Sequence, residues 1–198
     1  MRPWRSCAAQ TCQLIREQLG RQAHSLATAG KGRLQQLYER KRAELCASWV
    51  ILAGGGLVRK GKYHDGKFAE NLVEALVGLY RGWKPLPAPR WVTCVPSVNH
   101  PKLVPDLASR VAGRLSLPFV PAVRKVRATR PQKDMENSWW QAHNLNEAFQ
   151  IDRWEGLAGP VLLVDDILDS RWTFTVIAAL LRQAGSGPVF PLALAANR

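Results

Sequence analysis

Apolar residues fall along this chain in two alternating patterns, which together predict an α/β fold. Short, nearly continuous apolar runs predict strands buried on both faces; they occupy residues 91–95, 119–126, 161–164 and 188–194. Apolar residues spaced three or four apart predict helices, at residues 68–79, 103–115 and 173–184. Because strands and helices alternate, we expect a parallel sheet with right-handed crossovers, flanked by helices.

The first 50 residues carry a different pattern. Apolar positions recur on one face of two basic amphipathic stretches, which the helix-breaking residues 27–32 separate. We therefore expect a basic helical extension or linker over residues 1–50 and an α/β domain over residues 51–198. The basic face of the extension could contact DNA, although a solvated helix face gives the same pattern.

The predicted strand at residues 161–164 is followed directly by two carboxylates, Asp165 and Asp166. A buried strand does not carry unpaired charges in its interior. We therefore expect the strand to stop there, with the pair at its carboxyl end, where open α/β sheets bind ligands. The next residues predict a helix N-terminus that attracts phosphate, helped by the hydroxyls of Ser170 and Thr173. A sugar phosphate would fit the acidic pair and the helix N-terminus together. The alternative interpretation of the same residues is an ordinary capped helix beside two solvated carboxylates.

Composition and charge narrow the classes of partner and compartment. At 198 residues with a formal net charge of +13, the chain can hold one α/β domain plus an extension and favours anionic partners. The four cysteines lack the spacing of a zinc site or a disulfide framework, which predicts a cytoplasmic protein with no directly bound metal; they are Cys7, Cys12, Cys46 and Cys94. No apolar stretch could form a signal peptide core or a membrane span. Residues 60–62 lack P-loop spacing, so we expect no helicase motor in this chain.

Residues 161–175 resemble the phosphoribosyl pyrophosphate (PRPP) motif of type I phosphoribosyltransferases. They contain four apolar residues, two acidic, two apolar, and then a small loop that ends in threonine. The resemblance implies a type I phosphoribosyltransferase-like parallel sheet flanked by helices. It also implies that Asp165 and Asp166 hold the ribose hydroxyls of PRPP, which binds with Mg²⁺. The 5-phosphate would be held by the loop of Asp169, Ser170, Arg171, Trp172 and Thr173.

The phosphate loop departs from the family pattern at one position. Where the family usually has glycine, which permits close approach of the phosphate, this chain has Arg171 followed by Trp172. Arg171 could supply positive charge to the phosphate, or its side chain could block the pocket. Asp169 matches the position that faces the base in purine-salvage relatives, which makes it the candidate general base. A helix N-cap is the alternative role for Asp169.

Two further segments resemble ligand-contacting parts of the family. Lys62 lies in a Lys-Tyr-x-x-Gly turn similar to that of the ComF-type relatives, in which the lysine faces the ligand. Without that resemblance, Lys62 reads as a surface lysine. The loop after the first long strand corresponds to the family's pyrophosphate loop, here Ser97, Val98 and Asn99. His100, which precedes a proline, is expected to be a turn residue.

The segment before the central motif resembles a narrower group. The charged residues 125–133, with Lys125 and Arg127, are similar to the flexible loop of ComF-like proteins and of a domain appended to some RecQ-type DNA helicases. Such a loop suits closure over an anion. Residues 141–149 also resemble both of these groups, and residues 135–138 fit the helicase-linked domain better.

Two functions follow from these resemblances. The first is a PRPP-binding phosphoribosyltransferase-type domain, associated with DNA metabolism, that transfers or once transferred a 5-phosphoribosyl group to a nitrogen nucleophile. The second is a non-catalytic accessory or regulatory module of a RecQ-type helicase that contacts nucleic acid or a nucleotide. The expected partners are PRPP or another phosphorylated ribose, DNA through the basic surface, and a DNA helicase, with no membrane.

Overall fold

The computed structural model describes residues 50–51, 55–127, 148–152, 158–168 and 171–196. The strands are β1 (Val50–Ile51), β2 (Trp91–Cys94), β3 (Val123–Lys125), β4 (Phe149–Ile151), β5 (Gly159–Leu168) and β6 (Ser186–Ala196). The helices are α1 (Gly55–Lys60), α2 (Glu70–Trp83), α3 (Leu103–Leu115) and α4 (Arg171–Gln183). A π-helical turn, Gly61–Asp65, continues α1. The predicted extension over residues 1–50 lies almost wholly outside the described residues, and its boundary stays a prediction.

Four parallel strands form the central sheet in the order β1-β6-β5-β2. Strand β5 lies in the middle, with Val161 opposite Trp91 of β2 and Val164 opposite Cys94. On its other side β5 pairs with β6, where Asp165 is opposite Ala193. The described part of the chain therefore confirms the predicted fold class, an α/β fold with a parallel sheet flanked by helices.

Both faces of the sheet are buried, because β2, β5 and β6 carry apolar residues at successive positions. One face packs on α2 and α3 and includes Leu162, Val164, Phe190, Leu76 and Leu107. The other face packs on α4 and includes Val161, Leu163, Val189, Phe174 and Ile177. Helices on both faces hold the sheet rigidly and leave its carboxyl edge as the place where polar groups meet.

The strand predicted over residues 119–126 does not form a strand of the parallel sheet, and this prediction was wrong. Phe119 makes a single parallel bridge to Val92, and β3 then pairs antiparallel with β4 in a separate two-stranded sheet. Pro118 and Pro121 explain the difference, since neither has an amide hydrogen to donate to a ladder.

The sequence patterns also missed two elements near the start of the domain. Strand β1 pairs with the end of β6, but two residues are too few to show a period. Helix α1 and the π-helical turn follow from a glycine-rich and charged segment that has no apolar period. The helix expected from residue 68 begins at Glu70, while Phe68 before it is buried in the core.

Two sequence expectations concern the environment of the chain. Cys94 is a buried free thiol at the end of β2, as expected for a core residue. Within the described ranges, no helix has the length and apolar character needed to cross a membrane. The cytoplasmic location stays a prediction.

Close packing of β5 against β6 predicts that Gly187→Ala destabilises the domain. A Cβ at Gly187 would lie 2.9 Å from backbone atoms of Gly159 and Pro160, so the strands would have to separate. We expect chemical denaturation to show a loss of about 1–3 kcal/mol in the free energy of unfolding. The matched control is Gly78→Ala in α2, where nothing lies within 4 Å; it should gain about 0.5–1 kcal/mol. Equal effects of the two variants would contradict the packing.

Candidate functional site

The acidic pair lies at the carboxyl end of β5, but the strand does not stop there. Strand β5 continues through Asp165 and Asp166 to Leu168, which corrects the expected end of the strand. Strand β2 ends opposite Val164, whose carbonyl accepts a hydrogen bond of 2.9 Å from the Val95 amide. Beyond that point β5 is paired with β6 and has no β2 residue in register with it. The two carboxylates therefore lie where the β2 side of the sheet opens.

Each carboxylate of the pair binds the backbone amide that follows it. The Asp166 N–H donates to Asp165 Oδ1 at 2.8 Å, and the Ile167 N–H donates to Asp166 Oδ1 at 2.6 Å. Hydrogen bonds to both groups fix the two side chains in a single arrangement at the strand end.

Lys62 forms an ion pair with Asp166. Its Nζ lies 2.9 Å from Oδ2 and 3.1 Å from Oδ1 of that carboxylate. The Asp166 side chain is only 5% exposed and that of Lys62 is 18% exposed. An unpaired charge is unfavourable in the interior of a strand. The ion pair with Lys62 is the reason that β5 can contain Asp166, whose carboxylate is almost fully buried. Lys62 is therefore not an ordinary surface lysine.

Close packing against the Phe68 ring holds the π-helical turn in place. A Cβ at Gly61 would lie 2.8 Å from Phe68 Cδ1, so only glycine lets the turn approach this ring without a shift. The Phe68 carbonyl in turn accepts a hydrogen bond of 2.7 Å from Arg110 Nη1 on α3. Helix α3 and the core thus set the position of the segment that carries Lys62.

Burial and neighbouring charges shift the pKa values of Asp165 and Lys62. Burial and the charge of Asp166 raise the pKa of the Asp165 carboxyl well above its ordinary value. Burial alone would lower the pKa of Lys62, but the neighbouring Asp166 and Asp165 outweigh it and raise the pKa. Lys62 is therefore held as a cation. Burial, with Asp165 nearby, raises the pKa of the Cys94 thiol to about 12 and keeps it protonated.

The loop between β2 and α3 meets the Lys62 segment at the same edge of the sheet. Ser97 Oγ accepts a 3.2 Å hydrogen bond from the His100 amide, so His100 lies in a turn, as predicted. The Tyr63 and His100 rings meet edge to face, with centroids 6.1 Å apart. Val98 and Asn99 are exposed. The structure thus places the loop predicted to bind pyrophosphate beside the residue that follows Lys62.

The predicted phosphate loop is described only in part. Helix α4 begins at Arg171, as the sequence predicted to within two residues, and Thr173 lies half-buried in its first turn. Asp169 and Ser170 lie outside the described residues, as do the side chains of Arg171 and Trp172. The roles assigned to this loop, including Asp169 as general base, stay predictions.

The remaining basic candidates lie in the β3–β4 sheet. Lys125 is on β3, with its Nζ 5.8 Å from the centroid of the Phe149 ring, and burial lowers its pKa. Arg127 follows β3, is exposed, and its amide donates to the Ala148 carbonyl at 3.4 Å. Residues 128–147, which include most of the predicted flexible loop and the helicase-like segment, lie outside the described ranges. The roles of Lys125 and Arg127 stay predictions.

The carboxylates provide a limited set of metal ligands. Among the described residues, no group of three or more His, Cys, Asp or Glu side chains could hold a metal ion. Both oxygens of Asp166 are within reach of Lys62, whereas Asp165 has no ion-pair partner among the residues that the structure describes. This donor set fits Mg²⁺ only if most of its ligands are water and ligand phosphates, the mode in which Mg²⁺ commonly binds.

Comparison with known proteins gives a likeness to solved structures and no sequence match. No protein-family model matches the sequence, and no curated protein matches it. Among solved structures, the chain is similar to the crystal structure of adenine phosphoribosyltransferase from Leishmania tarentolae. The likeness covers 65% of this chain and 70% of that chain, with 16% identity and a TM-score of 0.41. A likeness of this size assigns no function, so the functional proposal rests on the site residues themselves.

Two contacts at the site were missed by sequence reasoning. The Lys62–Asp166 pair joins residues 104 positions apart, and nothing in either local pattern identifies the partner. A general signal was available, because a buried carboxylate requires a cation. The Tyr63–His100 contact left no such signal, since neither residue lies in a periodic segment.

The raised pKa of Asp165 predicts that Asp165→Asn stabilises the domain in a pH-dependent way. A pKa raised by folding means that ionised Asp165 costs stability, and the cost grows as the pH rises above the ordinary value of 3.8 towards the pKa in the folded state. We expect Asp165→Asn to gain about 1 kcal/mol at pH 7 in thermal or chemical unfolding. The gain should vanish below about pH 4.

The matched control for this prediction is Asp152→Asn, at an exposed carboxylate that pairs with Arg124 at 3.0 Å. It should change stability by no more than about 0.5 kcal/mol and without a gain at neutral pH. A gain for Asp165→Asn that persists at low pH would contradict the proposed cost of its charge.

Proposed function

We propose that this chain binds PRPP and transfers its 5-phosphoribosyl group to a nitrogen nucleophile. The observation that carries the proposal is the position of Asp165 and Asp166 at the carboxyl edge of a parallel sheet, with the N-terminus of α4 following after residues 167–170. Ligands of open α/β sheets bind at this edge. Carboxylates that accept sugar hydroxyls, followed by a helix terminus that accepts a phosphate, match the two ends of a ribose 5-phosphate.

The 5-phosphate would bind at the start of α4. Backbone amides in the first turn of a helix have no internal partner, and the helix dipole favours an anion there. The predicted phosphate loop, residues 169–173, would supply these amides, with hydroxyls from Ser170 and Thr173. Arg171 would add positive charge.

The pyrophosphate would bind at the other side of the carboxylates. The loop of Ser97, Val98 and Asn99 follows β2, the strand next to β5. Val98 and Asn99 are exposed, so their amides can approach a ligand. Lys62 lies next to Tyr63, whose ring contacts His100 at the end of this loop, and supplies a cation at the same edge.

The proposed reaction exchanges one bond at the anomeric carbon for another. The nucleophile's nitrogen forms a bond to C1 of the ribose as the bond from C1 to the pyrophosphate oxygen breaks, and pyrophosphate leaves with that electron pair. The nitrogen loses its proton to a base, for which Asp169 is our candidate. Positioning and stabilisation of the departing negative charge would supply most of the rate enhancement.

Mg²⁺ would accompany PRPP as its cofactor and neutralise charge on the pyrophosphate. Asp165 is the carboxylate that fits it, directly or through water. The chain's own residues would orient the ribose and hold the proton acceptor.

A second candidate is a non-catalytic module that binds a nucleotide or nucleic acid and regulates a RecQ-type helicase. Two observations favour it: the net charge of +13 and the internal pairing of Asp166 with Lys62. Association with DNA metabolism and the ComF-like and helicase-linked resemblances belong to the proposal in either form.

The test is calorimetric titration of PRPP with Mg²⁺ into the wild-type chain and into Asp165→Asn/Asp166→Asn. We expect micromolar binding to the wild type, about −8 kcal/mol, and a loss of at least about tenfold in the double variant, because the ribose hydroxyls lose their carboxyl acceptors. The matched control, Glu74→Gln/Asp152→Asn, removes the same charge at two exposed positions and should bind normally.

Absence of heat with the wild type, together with salt-sensitive binding of DNA, would overturn the transferase proposal in favour of the helicase module. Equal loss of binding in the control variant would show that net charge, rather than the acidic pair, governs affinity.

A further inference from the structure

In the described structure Asp166 is covered by Lys62. The carboxylate side chain is 5% exposed, and Nζ lies within 3.1 Å of both of its oxygens. The Ile167 amide donates a further hydrogen bond to Oδ1. A ribose hydroxyl has no approach to this carboxylate while Lys62 stays in place.

We propose that Lys62 is a positioning residue that covers Asp166 in the free protein and moves to the anionic leaving group when a phosphoribosyl ligand binds. The inference rests on the proposed function, since it assumes that Asp166 accepts a ribose hydroxyl. It adds an exchange of partners: the sugar hydroxyl replaces the ammonium on Asp166, and the pyrophosphate replaces Asp166 on the ammonium.

Electrostatics favours the exchange only when both ligand groups are present. A pyrophosphate brought beside Asp165 and Asp166 is repelled by two carboxylates unless a cation lies between them. Besides the Mg²⁺ that would accompany PRPP, Lys62 is a cation that the chain itself supplies beside the acidic pair, and its raised pKa keeps it charged. A ligand with ribose but no pyrophosphate displaces the ammonium and gives it no new anion. One lysine thereby couples recognition of the sugar to recognition of the leaving group.

The geometry gives the lysine a short path. Lys62 has a flexible four-carbon stem, and its side chain remains 18% exposed at the rim of the site. Its neighbour Tyr63 contacts His100 at the end of the predicted pyrophosphate loop, so the backbone that carries Lys62 already lies beside that loop, and rotation of the lysine side chain would carry the ammonium towards it. The Gly61 contact with Phe68 keeps the backbone of the turn in place during the exchange.

The test compares two ligands, PRPP with Mg²⁺ and ribose 5-phosphate, on the wild type and on Lys62→Met. Removing the ammonium removes a competitor for Asp166, so ribose 5-phosphate should bind about fivefold more tightly. PRPP loses its counter-ion and should bind about tenfold more weakly. Opposite changes for the two ligands are the expected result, because a purely structural role of Lys62 would weaken both alike.

The matched control is Lys60→Met, at the lysine two positions earlier. Lys60 is exposed and lies 4.0 Å from Asp65. It should leave the affinity ratio of the two ligands unchanged. If Lys60→Met shifts the ratio as much as Lys62→Met does, the effect is one of general charge and the exchange is overturned.

A second measurement uses the wild-type protein and stays informative if Lys62→Met fails to fold. Amine acylation read by mass spectrometry reports the accessibility of each lysine, with Lys60 as the internal reference. Labelling of Lys62 should rise when ribose 5-phosphate binds and fall below the ligand-free level when PRPP binds. Labelling that does not change with ribose 5-phosphate would overturn the exchange.

The outcomes separate this inference from the function on which it rests. If the wild type binds neither ligand, the proposed function fails and the exchange fails with it. If both ligands bind but the affinity ratio and the labelling of Lys62 stay constant, the exchange alone is wrong and Lys62 is a fixed structural partner of Asp166.

Discussion

An ionised carboxylate buried inside a sheet strand needs a compensating charge, and here Lys62 supplies it to Asp166 from 104 positions away in the sequence. Loss of one partner of a buried ion pair costs about 3–5 kcal/mol, and the partial exposure of Lys62 lowers that penalty. The ion pair ties the π-helical turn to the end of β5. It therefore joins the first part of the domain to the strand that carries the candidate site.

The rest of the site follows from the order of the sheet. Because β2 and β5 are neighbours and parallel, the loop after β2 and the acidic pair near the end of β5 lie at the same edge. Cys94, the last residue of β2, is paired with Val164, and β5 continues for four more residues. One side of the two carboxylates is therefore not covered by β2. The core on both faces fixes the position of this edge, where the polar groups meet.

Sequence reasoning predicted the central strands because their apolar runs are long and bounded by charged or turn residues, as at Asp165 and Pro96. It could not find β1, whose two residues show no period, and it placed residues 119–126 in the wrong sheet because it overlooked Pro121. At the site, the pattern of neighbouring residues in the sequence identified the acidic pair and the helix that follows it. The cation on Asp166 depends on tertiary contact between distant segments, which no local pattern contains.

Amide chemical shifts during a titration with PRPP and Mg²⁺ test the central claim most directly. If the carboxyl edge is a phosphoribosyl site, the largest changes should fall on Asp166 and Ile167, whose amides bind the two carboxylates, and on Lys62 and residues 97–100. Changes confined to exposed basic residues away from this edge, or no changes at all, would contradict the account.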